Sequence, residues 1–226
     1  MKLKTIKKIE GKIILLSGMA IGGNSANIEI GGNDNPIIRN PFNKEPYIPG
    51  SSIKGKIRSL TEWSLGKVDM KGNVHSCDNE HCVVCKVFGR SASENKNILS
   101  GPTRLIVRDA YLTDSSRDIL KYLRETTGSD TDMKYENSIN RVTSQPDIRN
   151  LERVPQGIEF EFNMSYKVFD LGDGGNNDEK NFNEVLKGLK LLSLDGLGGG
   201  VSRGNGHIKL EVSVDGDSIN LDDIQI

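Results

Sequence analysis

All three cysteines of the chain fall within nine residues, interleaved with two of its three histidines. His75, Cys77, His81, Cys82 and Cys85 spell H-x-C-x3-H-C-x2-C. Thiolates and imidazoles packed this tightly suit a tetrahedral zinc site in a reducing compartment, and an odd cysteine count argues against a disulfide framework. Four ligands are needed from five candidates, and His75, Cys77, Cys82 and Cys85 are favoured, with His81 the alternate to its neighbour Cys82. Such a site is expected to be structural, pinning a long insertion, because four good ligands leave no open position. The competing reading is three unrelated thiols.

Two further constellations suit an anion. In Pro49-Gly50-Ser51-Ser52-Ile53-Lys54-Gly55-Lys56-Ile57-Arg58, a helix N-terminus capped by Ser51 or Ser52 offers unpaired N–H groups, and Lys54 and Arg58 add charge. Taken alone this signal is weak, since solvated basic helices are equally common. The run from Leu194 to Gly206 holds six glycines and Arg203. Its backbone could approach another chain closely while Arg203 holds a phosphate. Nucleotide-binding glycine loops follow a strand and open a helix. This one follows a helix and opens a strand, so extended phosphodiester backbone fits better than a nucleotide cofactor; a plain glycine connector is the bland alternative. Asp34, in Gly31-Gly32-Asn33-Asp34-Asn35-Pro36, reads by itself as a turn residue.

The elements that must position these residues follow from periodicity. Ile9, Gly11, Ile13 and Leu15 alternate with charged neighbours in a strand over 6–16. A helix runs from the Pro49-Gly50 turn to about Leu65, with Ile53, Ile57 and Leu60 on one face and Lys54 and Arg58 on another. Residues 104–112 read as a second strand. Ile158, Phe160, Phe162, Met164, Tyr166 and Val168 alternate without a break, the cleanest strand in the chain. A helix from about Glu179 carries Phe182, Val185, Leu186, Leu189 and Leu192 on a stripe, and a last strand turns Ile208, Leu210, Val212 and Val214 inward. The order β-α-β-β-α-β is the ferredoxin-like arrangement shared with the RNA-recognition module. The expectation is an α+β chain, 1–226, with one RRM-like core and insertions near 17–50, 66–103, 113–157 and 169–178.

Composition bounds the rest. Charged residues make up 27% and hydrophobic ones 35%, ordinary for a globular protein. The net charge of −1 does not announce nucleic acid, but its distribution is uneven. Residues 39–67 hold six Lys/Arg against two acids, whereas 211–226 hold five acids and no Lys or Arg. No run approaches the roughly 18 apolar residues of a membrane span, and the N-terminus lacks the apolar core of a signal peptide. A cytoplasmic protein is expected.

Together these pieces resemble the repeated backbone subunit of type III-A CRISPR effector complexes, in the RAMP superfamily. The resemblance rests on Gly22-Gly23, Asp34 to Pro41, Ile48 to Lys56, Cys82 to Gly89, Arg108-Asp109-Ala110, Glu136 to Arg141 and the glycine run through Ser202-Arg203-Gly204-Asn205-Gly206. It covers nearly the whole chain. It implies an RRM-like core whose copies stack along a CRISPR RNA together with other subunits of the complex. Ser51, Ser52, Lys54, Lys56 and Arg58, with Gly199, Gly200, Ser202 and Arg203, would hold guide phosphates. The insertion around 134–155 would be a thumb that wedges into the guide–target duplex and splays out a pair, which suits Asn137, Arg141 and Arg149. The acid that cuts complementary target RNA would be Asp34, holding Mg²⁺ or Mn²⁺ or accepting a proton while a 2′-hydroxyl attacks its own phosphorus. The alternative within the same family is a non-catalytic scaffold.

Overall fold

The structure, a computed structural model, describes residues 1–22, 35–77, 79–90 and 101–226. The basic alternation at the N-terminus forms β1 (Lys2–Leu15), which buries Ile9, Ile13 and Leu15. The chain then enters α1 (Gly50–Ser64), passes through the short α2 (Val83–Phe88), and returns as β2 (Leu105–Val107) and β3 (Tyr111–Leu112). After α3 (Asp114–Thr127) it forms a separate hairpin from β4 (Asp132–Ile139) and β5 (Pro146–Arg153). Then come β6 (Glu159–Asp170), α4 (Asn176–Asp195), β7 (Ile208–Val214) and β8 (Asp217–Ile219).

β1 lies centrally, antiparallel to β6 on one side and β7 on the other, and the sheet runs β2-β6-β1-β7-β8 with β3 also on β6. Leaving aside β3 and β8, the four core strands stand in the order second, third, first, fourth, the ferredoxin-like order that the sequence pattern implies. Phe160, Phe162, Met164, Tyr166 and Val168 of β6 are all buried, as are Phe182, Val185, Leu186, Leu189 and Leu192 of α4. α1 buries Ile53, Ile57 and Leu60 as expected. It crosses α4 so closely that a Cβ on Gly188 would lie 2.6 Å from the Ile57 side chain.

Two expectations need correction. The strand read as 104–112 is two pieces, because pairing of Val107 with Met164 gives way to Tyr111 with Glu161, four residues opposite three. This bulge frees Ala110 to exchange backbone hydrogen bonds with Ile48 at 2.8 and 2.9 Å. The helix at Ser51 and Ser52 also starts earlier than a serine cap would place it. Pro49 is the N-cap, no side chain caps from within the helix, and the Gly50 N–H donates to the Asp109 carboxylate at 2.8 Å.

Candidate functional site

Four of the five cysteine and histidine candidates converge. His75, Cys77, Cys82 and Cys85 bring their ligand atoms within 4.8 Å of one another. Cys77 Sγ lies 3.8 Å from Cys85 Sγ, and Cys82 Sγ lies 3.3 Å from His75 Nε2. A tetrahedral zinc ion with Zn–S bonds of about 2.3 Å sets two thiolates roughly 3.8 Å apart, so the donor set fits. His81 is not part of the cluster: its ring is exposed and faces Glu80 at 3.3 Å. Burial pushes the Cys85 thiol up to about 12, and the charge of neighbouring Cys82 adds to this. Burial raises Cys77 too, but hydrogen bonds from the Asn79 amide and from Cys82 and Cys85 outweigh it and bring that thiol below its usual value. Cys85 therefore keeps its proton at neutral pH unless a cation sits among the sulfurs, where a bound metal would favour the thiolate. The cluster sits at the start of α2, and the Arg58 guanidinium of α1 donates to the His75 carbonyl at 2.6 Å, tying the insertion to the core.

A second assembly forms where the β4–β5 hairpin meets the glycine run. Gly200 to Gly206 wrap around a 3₁₀ turn at Val201–Arg203. Gly206, at φ 66°, is pressed so tightly on Leu197 that a Cβ would lie 1.8 Å from its carbonyl oxygen, which only glycine tolerates. The run is further held by Gly199 N–H to the Ala20 carbonyl and Gly206 N–H to the Gly18 carbonyl. Buried Asn205 joins it to the hairpin: its Oδ1 accepts from Lys134 Nζ at 3.1 Å and from Arg153 at 3.0 Å. Arg203, exposed at the surface, reaches across to Glu136 at 3.0 Å. Its guanidinium and the Lys134 ammonium hold the Glu136 carboxyl below its usual value, so one carboxylate screens two cations.

A cleft of about 890 Å³ opens beside this contact, lined by Asn35, Asn137, Arg141, Arg149, Asn150 and Arg203 among others. It therefore unites the expected hairpin residues with Arg203 and with Asn35, the residue after Asp34. Asp34 itself lies outside the described residues. Asn137 and Arg141 are exposed on the hairpin, whose Tyr135, Val142 and Ile148 are also largely uncovered. The remaining expected residues lie elsewhere. Ser51 and Lys54 line a separate groove of about 420 Å³ together with Lys167. The Lys54 ammonium donates to the Leu105 carbonyl at 3.1 Å, and burial, then Arg58, lower its pKa. Lys56 pairs with Asp195, and Arg58 pairs with Glu62 at 2.8 Å. Ser52 is half-buried, while Gly199 and Ser202 are exposed and Gly200 is half-buried on the run. A cleft of about 930 Å³ over the β2–β3 bulge carries Lys12 and Arg108 beside Glu10, Asp109 and Glu161, a mixed set of charges.

Sequence reasoning gave no role to a network beneath the hairpin. Arg39 donates to both oxygens of Asp130, at 3.0 and 2.8 Å, and to Glu152 at 3.1 Å. Burial opposes the Arg39 charge, but Asp130 and Glu152 outweigh it and raise its pKa. Burial likewise pushes Asp130 up, and Arg39 and Arg124 override it, holding the carboxyl below its usual value. The partners lie about ninety and more positions apart, so no local pattern could have announced them.

Comparison with known proteins adds the lineage. Residues 12–209 match the model of the RAMP superfamily. A curated relative from Methanothermobacter thermautotrophicus, named CRISPR system Cms endoribonuclease Csm3, is 42% identical over 214 residues, covering 90% of this chain and 82% of the relative. The protein of the same name from Methanocaldococcus jannaschii is 41% identical over 207 residues, covering 89% of this chain and 77% of its own. Among solved structures, a chain of the Csm3–Csm4 subcomplex in the type III-A CRISPR-Cas interference complex superposes with a TM-score of 0.59 at 30% identity, over 95% of this chain and 80% of that chain. Csm3 from Methanopyrus kandleri shares the fold, with a TM-score of 0.60 at 24% identity over 92% of this chain and 76% of its own.

Proposed function

The chain belongs to the RAMP superfamily and within it to the Csm3 family, and on that premise we propose that it is the guide-RNA-binding, target-cleaving backbone subunit of a type III-A effector complex. Several copies would line up along a CRISPR RNA in the cytoplasm, beside other subunits, and cut complementary RNA at regular intervals. The observation that carries this reading is the cleft joining the hairpin, Arg203 and Asn35.

In this reading the β4–β5 hairpin is the thumb. Its exposed Tyr135, Val142 and Ile148 are the groups that would replace base stacking when a pair is splayed from the duplex. Arg203 exchanges Glu136, and Arg149 its partner Asp147, for RNA phosphates, and Arg141 adds charge along the cleft. Ser51, Lys54 and Lys167 hold a second stretch of guide backbone. Base pairing reads the sequence, so the protein need recognise only backbone and shape.

Splaying lets the 2′-hydroxyl oxygen of a target nucleotide line up with its own phosphorus, opposite the departing 5′-oxygen. That oxygen forms the new bond and loses its proton, the P–O5′ bond breaks, and the 5′-oxygen is protonated. A 2′,3′-cyclic phosphate and a 5′-hydroxyl result. Asp34, the residue before Asn35 in sequence, would hold the divalent cation that offsets charge on the phosphoryl oxygens, Mg²⁺ or Mn²⁺. An ordinary carboxyl, with a pKa near 3.9, is a poor base at neutral pH, which favours this role over proton abstraction. His75, Cys77, Cys82 and Cys85 would hold a structural zinc ion that fixes the insertion to α1.

Complexes assembled with wild-type or Asp34→Ala subunits, guide RNA, labelled target and Mg²⁺ test the assignment. We expect target affinity to persist while regular cutting disappears. Cutting at the wild-type rate would leave the chain a scaffold and send the search for the nuclease to a partner.

A further inference from the structure

The cleft beside the hairpin carries counter-charges of its own. Glu136 stands opposite Arg149 in the β4–β5 register, and Ser138 opposite Asp147. Residues paired in this way project from one face of the ribbon, and alternation along β4 adds Lys134 to them. Two of the three arginines lining the cleft are held there by carboxylates. Arg203 Nε lies 3.1 Å from Glu136 Oε1 and 3.0 Å from Oε2. Arg149 donates to Asp147 through both Nε and a terminal nitrogen, at 3.2 and 3.0 Å. Arg141 donates instead to the Ile139 carbonyl at 3.3 Å.

The Glu136–Arg203 pair differs from an ordinary surface ion pair in two ways. Its partners are 67 residues apart, one on the hairpin and one on the glycine run, and both line the cleft. Glu136 also has a second cation at hand. Lys134 Nζ lies 3.4 Å from Oε1, and that ammonium is fixed in turn by the Arg203 carbonyl at 2.7 Å and Asn205 Oδ1 at 3.1 Å. Asn205 is buried, whereas the Arg203 side chain is 61% exposed. The guanidinium can therefore turn away while its main chain stays on Lys134. A carboxylate between a guanidinium and an ammonium takes the place that phosphate oxygens would fill. When Arg203 leaves, Glu136 keeps Lys134 and is not stranded.

We propose that Glu136 is a built-in phosphate surrogate that limits the affinity of a lone subunit for RNA, holding Arg203 in reserve. A phosphate entering the cleft gains Arg203 but leaves a carboxylate close by, so an isolated contact there is weak. Arg203 engages where other contacts, such as Lys54 and Lys167 of the α1 groove, already hold the backbone in place. The inference rests on the reading that this cleft takes RNA, and it adds what restrains the cleft from taking RNA indiscriminately.

The test is binding of a labelled single-stranded RNA of unrelated sequence to the guide-free chain, followed by fluorescence anisotropy across a salt series. Glu136→Gln keeps the shape and an acceptor oxygen while removing the charge. We expect it to bind roughly three- to tenfold more tightly at about 50 mM salt, with a log–log salt slope steeper by about 0.7, the share of one more phosphate neutralised on a single strand. Arg203→Ala should bind several-fold more weakly. Adding Glu136→Gln to Arg203→Ala should change affinity by less than about twofold, since the acid acts through the arginine. Unchanged or weaker binding by Glu136→Gln overturns the proposal. So does a gain of equal size in the Arg203→Ala background, which would mark a general effect of net charge. Arg203→Ala separates the two levels. If it binds RNA as the wild type does, the cleft is not an RNA site; if it binds weakly while Glu136→Gln matches the wild type, only the surrogate role falls.

Discussion

The carboxyl of Asp130 is held below its usual range because Arg39 and Arg124 outweigh the burial that would raise it. The native state therefore binds fewer protons than the unfolded chain near pH 4, so this contribution is complete above the unfolded pKa and is lost as pH falls through the lower folded value. Asp130→Asn should cost about 3 kcal/mol in urea unfolding at pH 7, the scale for breaking a partly buried pair. That gap should hold down to about pH 5 and close below about pH 4. A gap already closing at pH 6 would contradict the account. At the metal cluster, Cys85→Ser removes a buried ligand. It should lower bound zinc and cost about 3 kcal/mol, roughly 10 °C in the unfolding midpoint. Unchanged zinc by elemental analysis would remove Cys85 from the ligand set. The cluster was legible because its ligands are close in sequence, though choosing Cys82 over His81 needed their side-chain directions. Arg39 with Asp130 and Glu152 was illegible because nothing local marks a pair joined only by folding.

At the scale of elements, burial patterns told most. β6 and the α4 stripe could be read from alternation and helical spacing, since each buries one face. The β2–β3 bulge could not, because it depends on Ala110 meeting Ile48, from another part of the chain. α3 was overlooked inside a presumed insertion although its ends carry ordinary signals. Thr113 caps it by accepting the Ser116 N–H at 3.2 Å, and Gly128 closes it in the left-handed region at φ 80°. The crossing of α1 and α4 rests on Gly188 against Ile57 and Thr61. A glycine inside a helix costs about 1 kcal/mol relative to alanine, which the close contact offsets. Gly188→Leu should therefore destabilise by about 1–3 kcal/mol through overpacking, despite better helix propensity. An unchanged or raised denaturation midpoint would show that the helices can part without loss. The β4–β5 hairpin differs in kind: a two-stranded hairpin with bare apolar side chains is marginal in water. It is anchored to the rest of the chain by Asn205, the Glu152 network, Arg203 on Glu136 and Asn35 on Asn150.

At the scale of the molecule, a net charge of −1 conceals a division of labour. Arg141, Arg149 and Arg203 line the cleft beside Glu136 and Asp147, Lys54 and Lys167 line the α1 groove, and acids gather at the C-terminus. Among the described residues no helix is long and apolar enough to cross a membrane. The core fold could be inferred from strand and helix order, and the lineage from short motifs in sequence. The joining of the β4–β5 hairpin, glycine run and Asn35 into one cleft required the folded chain. The central claim is that each copy cuts once, through the target's own 2′-hydroxyl, where the thumb displaces a nucleotide. It is tested most directly by single-turnover cleavage of a target carrying one 2′-deoxynucleotide at one of the regular cut positions. The account predicts that this cut alone disappears, the other cuts keep their rates, and every remaining product ends in a cyclic phosphate. Cutting at the deoxynucleotide at an undiminished rate would contradict it, because the attacking oxygen would then have to come from water.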